Sequence, residues 1–349
     1  INFITREPFE GLQLDARIGS SFRGDAGTKS ISLIGGVGNR DTRGRAMLAL
    51  GYSDRDMLFG DERREFFSQG VLSSFIGQGT YIPSATNLPS QAAVDAVFAQ
   101  YGVAPGAVLS SRNLGFNDDG TLFSQIGTTN YRGPTRYLFS TLGGIVRQPV
   151  TMQEYIVQPM HRFNLFASGE YDLTEGISAY AQVLYTNSQV TGQVGWTPTL
   201  FVAPLTVPVT NPFIPADLRA ILASRPNPTA PFTLNQRFMG FEDRKFISDF
   251  NVAQFILGLR GDLGVSDWTW DIYGSHDAMD LVETQDAALL LSRLQPLLNA
   301  ADGGASICAG GYNPFGLANS TRVSQACRAH VETETHDVTE TSQDIVEAN

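Results

Sequence analysis

Few residues in the chain have the type and spacing to do chemistry. Near its end, "HVETETH" sets His330, Glu332, Glu334 and His336 at every second position. On a strand these four would leave one face together, and imidazoles beside carboxylates can hold a divalent metal. Acidic runs are usually hydrated surface, so a solvated wall is the preferred reading and no metal is expected. Asn117-Asp118-Asp119-Gly120 has the residue types of a calcium loop without its ligand spacing, and reads as a turn. "GTTNYRGPTRY" gathers Asn130, Tyr131, Arg132, Arg136 and Tyr137, rings that stack and donors suited to anionic or hydroxylated groups. These five are the candidate substrate contacts, with loop packing as their plainer role. A nucleophile elbow, a phosphate-binding glycine loop, HExxH and CxxC are all missing, so no cofactor is expected; in a pored barrel, the architecture argued below, that absence points to transport rather than turnover.

Cys308 and Cys327 are the two cysteines, both in one polar, glycine-rich stretch. Such isolation suggests a local disulfide and an oxidising compartment. Closing that loop is worth about 3 kcal/mol in the chain-entropy view. A net charge of −11 argues against a nucleic-acid backbone as partner.

The elements that carry these residues read as strands. "RFNLFASGEYDL", a turn "TEG" and "ISAYAQVLYTNSQ" alternate with period two. Phe163, Leu165, Ala167, Tyr171 and Leu173 share one face, and Asn164, Ser168, Glu170 and Asp172 the other. Ile177, Ala179, Ala181, Val183 and Tyr185 alternate with Ser178, Tyr180, Gln182 and Thr186. The same texture returns at Leu12 to Ile18, Ser30 to Gly38, Ala46 to Tyr52, Gln254 to Asp262, Trp268 to Asp277 and His330 to Asn349, giving eight strands. Their connections alternate in length. Short turns near Asn39 to Gly44, Thr174 to Gly176 and Gly264 to Asp267 face very long segments at Leu58 to Met160, Val190 to Arg244 and Glu283 to Ala329. Compact soluble domains rarely hold such connections, whereas outer-membrane barrels put short turns on one rim and long loops on the other.

The expected fold is therefore all-β, a transmembrane antiparallel β-barrel fragment of about eight strands, open and curved, with long extracellular loops. Phe163, Leu165, Ala181, Val183, Leu257, Trp268 and Trp270 are expected to face lipid. Asn164, Ser168, Glu170, Asp172, Gln182, Arg260 and Asp271 are expected to line the lumen. Phe9, Tyr171 and Trp268 lie beside short-turn ends, where interfacial rings belong. Short helices are expected in the loops, one capped by Ser90 and stopped by Gly102, one with Pro215 in its first turn and one starting at Thr284.

"INFITREPFEG" at the start, "NPFIPADLRAILASRPNPTAPF" (Asn211 to Phe232), "GLRGDLGVSDWTWDIYGSHD" (Gly258 to Asp277) and "CAGGYNPFG" (Cys308 to Gly316) resemble segments of TonB-dependent outer-membrane receptors. The resemblance implies a barrel of about 22 strands enclosing an N-terminal plug. It also implies energy-coupled uptake of a scarce nutrient of the siderophore, cobalamin or oligosaccharide class. On that basis residues 1–7 are the end of the plug and residues 8–349 the N-terminal part of the barrel domain, with the plug before Ile1 and about 14 strands after Asn349. The implied location is the outer membrane of a Gram-negative bacterium. The implied partners are outer-membrane lipid, the TonB complex reached through the plug, and a small-molecule or oligosaccharide ligand. Two other readings stay open: a complete eight-stranded barrel with an adhesive or structural role, and a soluble carbohydrate-binding β-sandwich.

Overall fold

The computed structural model describes residues 10–38, 42–63, 65, 72–139, 144–150, 153–199, 203–265 and 268–349. The expected plug end at residues 1–7, the interfacial Phe9 and parts of two short turns lie outside the described residues.

Alternating polarity produces one large sheet. Its strands are β1 (Gly11–Gly19), β2 (Thr28–Val37), β3 (Gly44–Arg55), β7 (Met160–Thr174), β8 (Ile177–Val194), β11 (Arg244–Asp262), β12 (Thr269–Leu289) and β13 (Glu332–Ala348). They pair antiparallel in chain order, with β1 and β13 as the two edges. The described sheet is thus open, which counts against a closed eight-stranded barrel. A single ladder crosses it through Leu14, Leu33, Leu50, Leu165, Tyr185, Ala253 and Ala278. Directly paired residues share a face, so this row marks one apolar side. The opposite side carries Asp15, Ser32, Asn164 and Thr186 in one row. Every residue expected to face lipid lies on the apolar side by register, and every residue expected in the lumen lies on the other. Trp268 continues the parity of Trp270 just outside β12.

The three long connections fold together into a cap at one end of the sheet. It contains β4 (Thr80–Ile82), β5 (Leu114–Phe116), β6 (Leu122–Ser124), β9 (Leu205–Val207) and β10 (Phe232–Asn235), which form a second sheet in the order β9-β10-β4-β5-β6. Helices α1 (Gln91–Ala99), α2 (Ala216–Ala223) and α3 (Leu291–Asn299) pack on it. Each buries three residues at i, i+3 and i+4: Val94, Val97 and Phe98; Leu218, Ile221 and Leu222; Leu294, Leu297 and Leu298. That spacing is one helix face. Phe315, from the third connection, meets Phe116 of the first at 5.0 Å and Phe232 of the second at 6.4 Å between ring centres. Gln236, fully buried, donates to the Gly77 and Pro314 carbonyls and accepts from the Tyr312 hydroxyl at 2.6 Å. One ring and one amide thus tie all three connections into a single core.

Two helical expectations change. Ser90 caps α1, its hydroxyl accepting from the Ala93 amide at 3.2 Å, and Gly102 follows with a φ of +75°. Pro215 stands at the N-cap of α2, one position before the first turn. Thr284, by contrast, starts no helix: β12 runs on to Leu289, and Thr284 pairs with Ile247 and His336 on either side. Two neighbouring strands outweigh a local helical pattern there, and α3 begins only at Leu291. Among the described residues no helix is long and apolar enough to cross a membrane.

Candidate functional site

The polar face of the large sheet carries a connected charge network near the short-turn end. The ladder row Arg45, Glu170, Tyr180, Gly258, Tyr273 and Glu347 sets these groups side by side. Arg45 reaches the Glu170 carboxylate at 2.6 Å, and Arg260 donates to the same carboxylate through Nε at 3.0 Å. The Arg260 guanidinium lies 5.5 Å from the Tyr180 ring centre, and the Tyr180 hydroxyl donates to Asp271 at 2.8 Å. A side chain at Gly258 would forbid this, since its Cβ would stand 2.5 Å from the Tyr180 Cζ. The glycine is therefore the gap through which Tyr180 reaches a strand two places away. Ser178 donates to Asp172 at 2.6 Å, and Thr186 donates to Asn164 at 3.1 Å. This surface pairs its charges internally.

A second place lies where the cap meets the ends of the long strands. It is a cleft of about 530 Å³ with walls from Phe59, Tyr155, Trp196 and Arg136, together with Gln153, Gln193, Asp243 and Lys245. Gln193 donates to the Gln153 carbonyl at 3.1 Å and to one Asp243 oxygen at 3.0 Å. Asp243 Oδ1 and Gln153 Oε1 are buried and have no hydrogen-bond partner among the described residues. Burial pushes the Asp243 carboxyl up, the neighbouring Glu242 adds to this, and Lys245 opposes it. Behind the wall, Arg237 donates to the Trp196 carbonyl, and burial pushes its guanidinium down to about 10.

The five residues singled out in the sequence are not gathered at one open surface. Asn130 donates to the Leu122 carbonyl at 2.6 Å, and Tyr131 donates to the Pro134 carbonyl at 2.8 Å with its ring against Phe123. Arg132 pairs with Asp119 and lies 5.2 Å from the Tyr101 ring centre. Tyr101 in turn donates to Asp217 at 2.9 Å, and burial with that carboxylate pushes it up to about 12. Arg136 and Tyr137 stack on one another at 5.0 Å, and these two reach the cleft. The Asn117 to Gly120 segment is the turn between β5 and β6, with Asp119 accepting from the Thr121 amide at 3.0 Å and Asp118 from the Ala318 amide at 2.8 Å.

His330 is not on the last strand. It belongs to a helix, α4 (Gln325–Val331), so it cannot share a strand face with Glu332, Glu334 and His336. His336 contacts Glu334 at 2.7 Å and Thr284 at 3.0 Å, and no cluster of three metal-ligating groups exists among the described residues. Cys308 and Cys327 are joined in a disulfide at the core side of α4, with Cα atoms 5.0 Å apart.

Sequence reasoning missed Gln153, Trp196 and Asp243 because they come from two different connections and meet only through the fold. No local pattern marks them. No family model, curated protein or solved structure matches the chain.

Proposed function

We propose that the large sheet is a section of the wall of an outer-membrane β-barrel, and that the chain belongs to an energy-coupled uptake receptor of the TonB-dependent kind. The observation that carries this reading is the slant of the apolar band. On β1 the band reaches up to Ile18, whose ladder row ends at Val338 on β13. On β13 itself the band stops at Val346, below Asp344, Ser342 and Glu340. From 338 to 346 is eight residues over seven strand steps, so the band slips by about one residue per strand. With a rise of about 3.3 Å and a strand spacing of about 4.8 Å, that is a tilt of about 35°. Strands in bilayer barrels tilt by about 35–45°. On β7 the band runs from Phe163 to Leu173, about 27 Å measured across that tilt, close to the apolar height of about 25 Å that such barrels present.

Rings edge the band on both sides, as an aromatic girdle would. Tyr52, Phe163 and Tyr185 stand at the cap side, and Tyr171, Trp268 and Trp270 at the short-turn side. The polar face then lines the lumen, and the cap lies outside the cell. Both free edges of the sheet need further strands, since unpaired backbone groups in lipid are costly. Transport rather than catalysis is supported by the segments that resemble TonB-dependent receptors, and the partners are then outer-membrane lipid, the TonB complex and a small-molecule or oligosaccharide ligand.

Two adjacent substitutions test the wall. Ala167 pairs with Leu48 and Val183 on the apolar side, and Ser168 pairs with Met47 and Gln182 on the polar side. Ala167→Arg should cost about 2–4 kcal/mol and impair assembly into the outer membrane, while Ser168→Arg should assemble normally. Assembly is read from heat-modifiable mobility of the intact protein in membrane fractions. Equal behaviour of the two variants would reject the barrel. Uptake that survives collapse of the proton gradient would reject the energy-coupled part alone.

A further inference from the structure

We infer that the apolar face of the large sheet seats one phospholipid, with an acyl chain in a trough between β3 and β8 and its phosphate at Arg43. The inference rests on the reading of this face as lipid-facing, and it singles out one molecule of that lipid. The ladder row Val37, Ala46, Gly169, Ala181 and Leu257 shows the trough in section. Three small residues stand between two tall ones that each leave more than half of their surface exposed. The hollow has a volume of about 610 Å³, within the range of about 300–1,000 Å³ of small-molecule sites, with Leu48 and Val183 on its flanks. A second hollow, of about 450 Å³, shares Val37, Ala46, Gly169 and Ala181 with it and reaches Tyr171 at the short-turn rim.

Nothing inside the chain requires a glycine at position 169. Gly169 lies within β7 in unbroken register with Ala46 and Ala181, its φ is not left-handed, and a Cβ there would meet only the Arg45 carbonyl oxygen, at 4.0 Å. Glycine weakens a strand, and inside one it marks a bulge, a bend or a place where another molecule comes close. The regular ladder leaves the third. Arg43 supplies the charge. Its guanidinium lies 5.9 Å from the Tyr171 ring centre, at the short-turn mouth of the trough, and donates to the Leu173 carbonyl at 3.1 Å. Among the described residues no carboxylate pairs with it, which leaves nitrogens for a phosphate in the fork geometry that suits arginine. A cation at the headgroup level beside an apolar trough complements an anionic lipid head above its own tail. A second copy of the chain fits less well, because a two-fold pairing lays trough against trough and leaves the hollow unfilled.

Native mass spectrometry of the intact protein, extracted from outer membranes in a non-ionic detergent, is the test. The added probes are phosphatidylglycerol and the uncharged diacylglycerol with the same chains. The expected result is one phosphatidylglycerol retained per chain and no diacylglycerol. Gly169→Leu, and Ala181→Leu from the neighbouring strand, fill the trough with side chains that lipid accepts, so both should assemble as the wild type does and lose the retained lipid. Arg43→Gln leaves the trough open and should lose it too. Retention undiminished in all three variants would overturn the inference, as would equal retention of the two probes or a lipid-free dimer. Heat-modifiable mobility is read on the same samples, so the two readings fail separately. A wild type that assembles but holds no phospholipid refutes the seat alone, and one that never reaches the outer membrane refutes the wall and the seat with it.

Discussion

Phe116, Leu122, Leu234 and Leu294 in the cap are fully shielded from solvent, whereas Leu12, Leu14 and Leu257 in the large sheet leave more than half of their surface exposed. Both regions are rich in apolar side chains, but only the cap turns them toward each other. Its core is built as in a water-soluble domain, with helices laid on a small sheet and a buried amide satisfied on every side. The sheet has no core at all among the described residues: outside the extreme end of β12, no hydrophobic side chain of its eight strands is buried. An apolar face left open on this scale needs a covering, and the cap supplies none of it. The contrast teaches that one chain follows two rules for placing hydrophobic residues, and that the boundary between them is where the long strands leave the band.

The sharpest way to break that comparison is to truncate one large side chain in each region. Phe116→Ala should destabilise the cap by about 3–5 kcal/mol, because the hole it leaves faces Phe315 and cannot fill. Leu257→Ala on the exposed face should cost less than about 1 kcal/mol, because more than half of that side chain is exposed and its loss opens no internal hole. Denaturant unfolding followed by protease cleavage in the cap and by mobility of the sheet separates the two. Similar costs would mean that the sheet face is packed after all, against a surface of its own.

A smaller effect is expected at the disulfide. It closes a separation of 19 residues entirely within the cap, so removing it should lower cap stability by about 3 kcal/mol and leave the sheet untouched. Cys308→Ser with Cys327→Ser, followed by the same two probes, checks this. A matching loss in the sheet would show that the cap and wall unfold as one unit.

The sheet was legible in the sequence because its rule is local. Period two survives in each strand alone, so Phe163 and Leu165 can be assigned a face without knowing what they meet. Length alternation of the connections then fixed which rim carries the long loops. The cap was not legible for the opposite reason. Phe116, Phe232 and Phe315 sit far apart in the chain, and the small sheet joins strands of three or four residues too short to show a period. Thr284 failed for a related cause: its neighbours look helical, and only pairing with Ile247 and His336 makes them a strand. The cleft escaped entirely, since Gln153, Trp196 and Asp243 have no shared signature before folding.

The smallest effect concerns the clasp that joins the two regions at the first connection. Arg63, in the single turn Gly60–Arg63 where the cap begins, grips the Asp25 carboxylate with both nitrogens, at 2.6 and 2.8 Å. Asp25 lies between β1 and β2, so this fork ties the sheet edge to the cap in the bidentate geometry that favours arginine. The Arg63 guanidinium, with the Ser21 hydroxyl, holds the Asp25 carboxyl well below the usual carboxylate range. A depressed folded-state value means that the stabilisation is fully present above the unfolded value of about 3.9 and is lost as the pH falls toward the folded one. The clasp should therefore be intact at neutral pH and weaken only below about pH 4. Asp25→Asn removes the charge at every pH, so amide exchange at residues 20–27 should be faster in the variant than in the wild type at pH 7. The two should converge in strong acid, after correction for intrinsic exchange. A difference that persists undiminished at low pH would show that the first connection is held by its packing and that the two regions meet there without an electrostatic clasp.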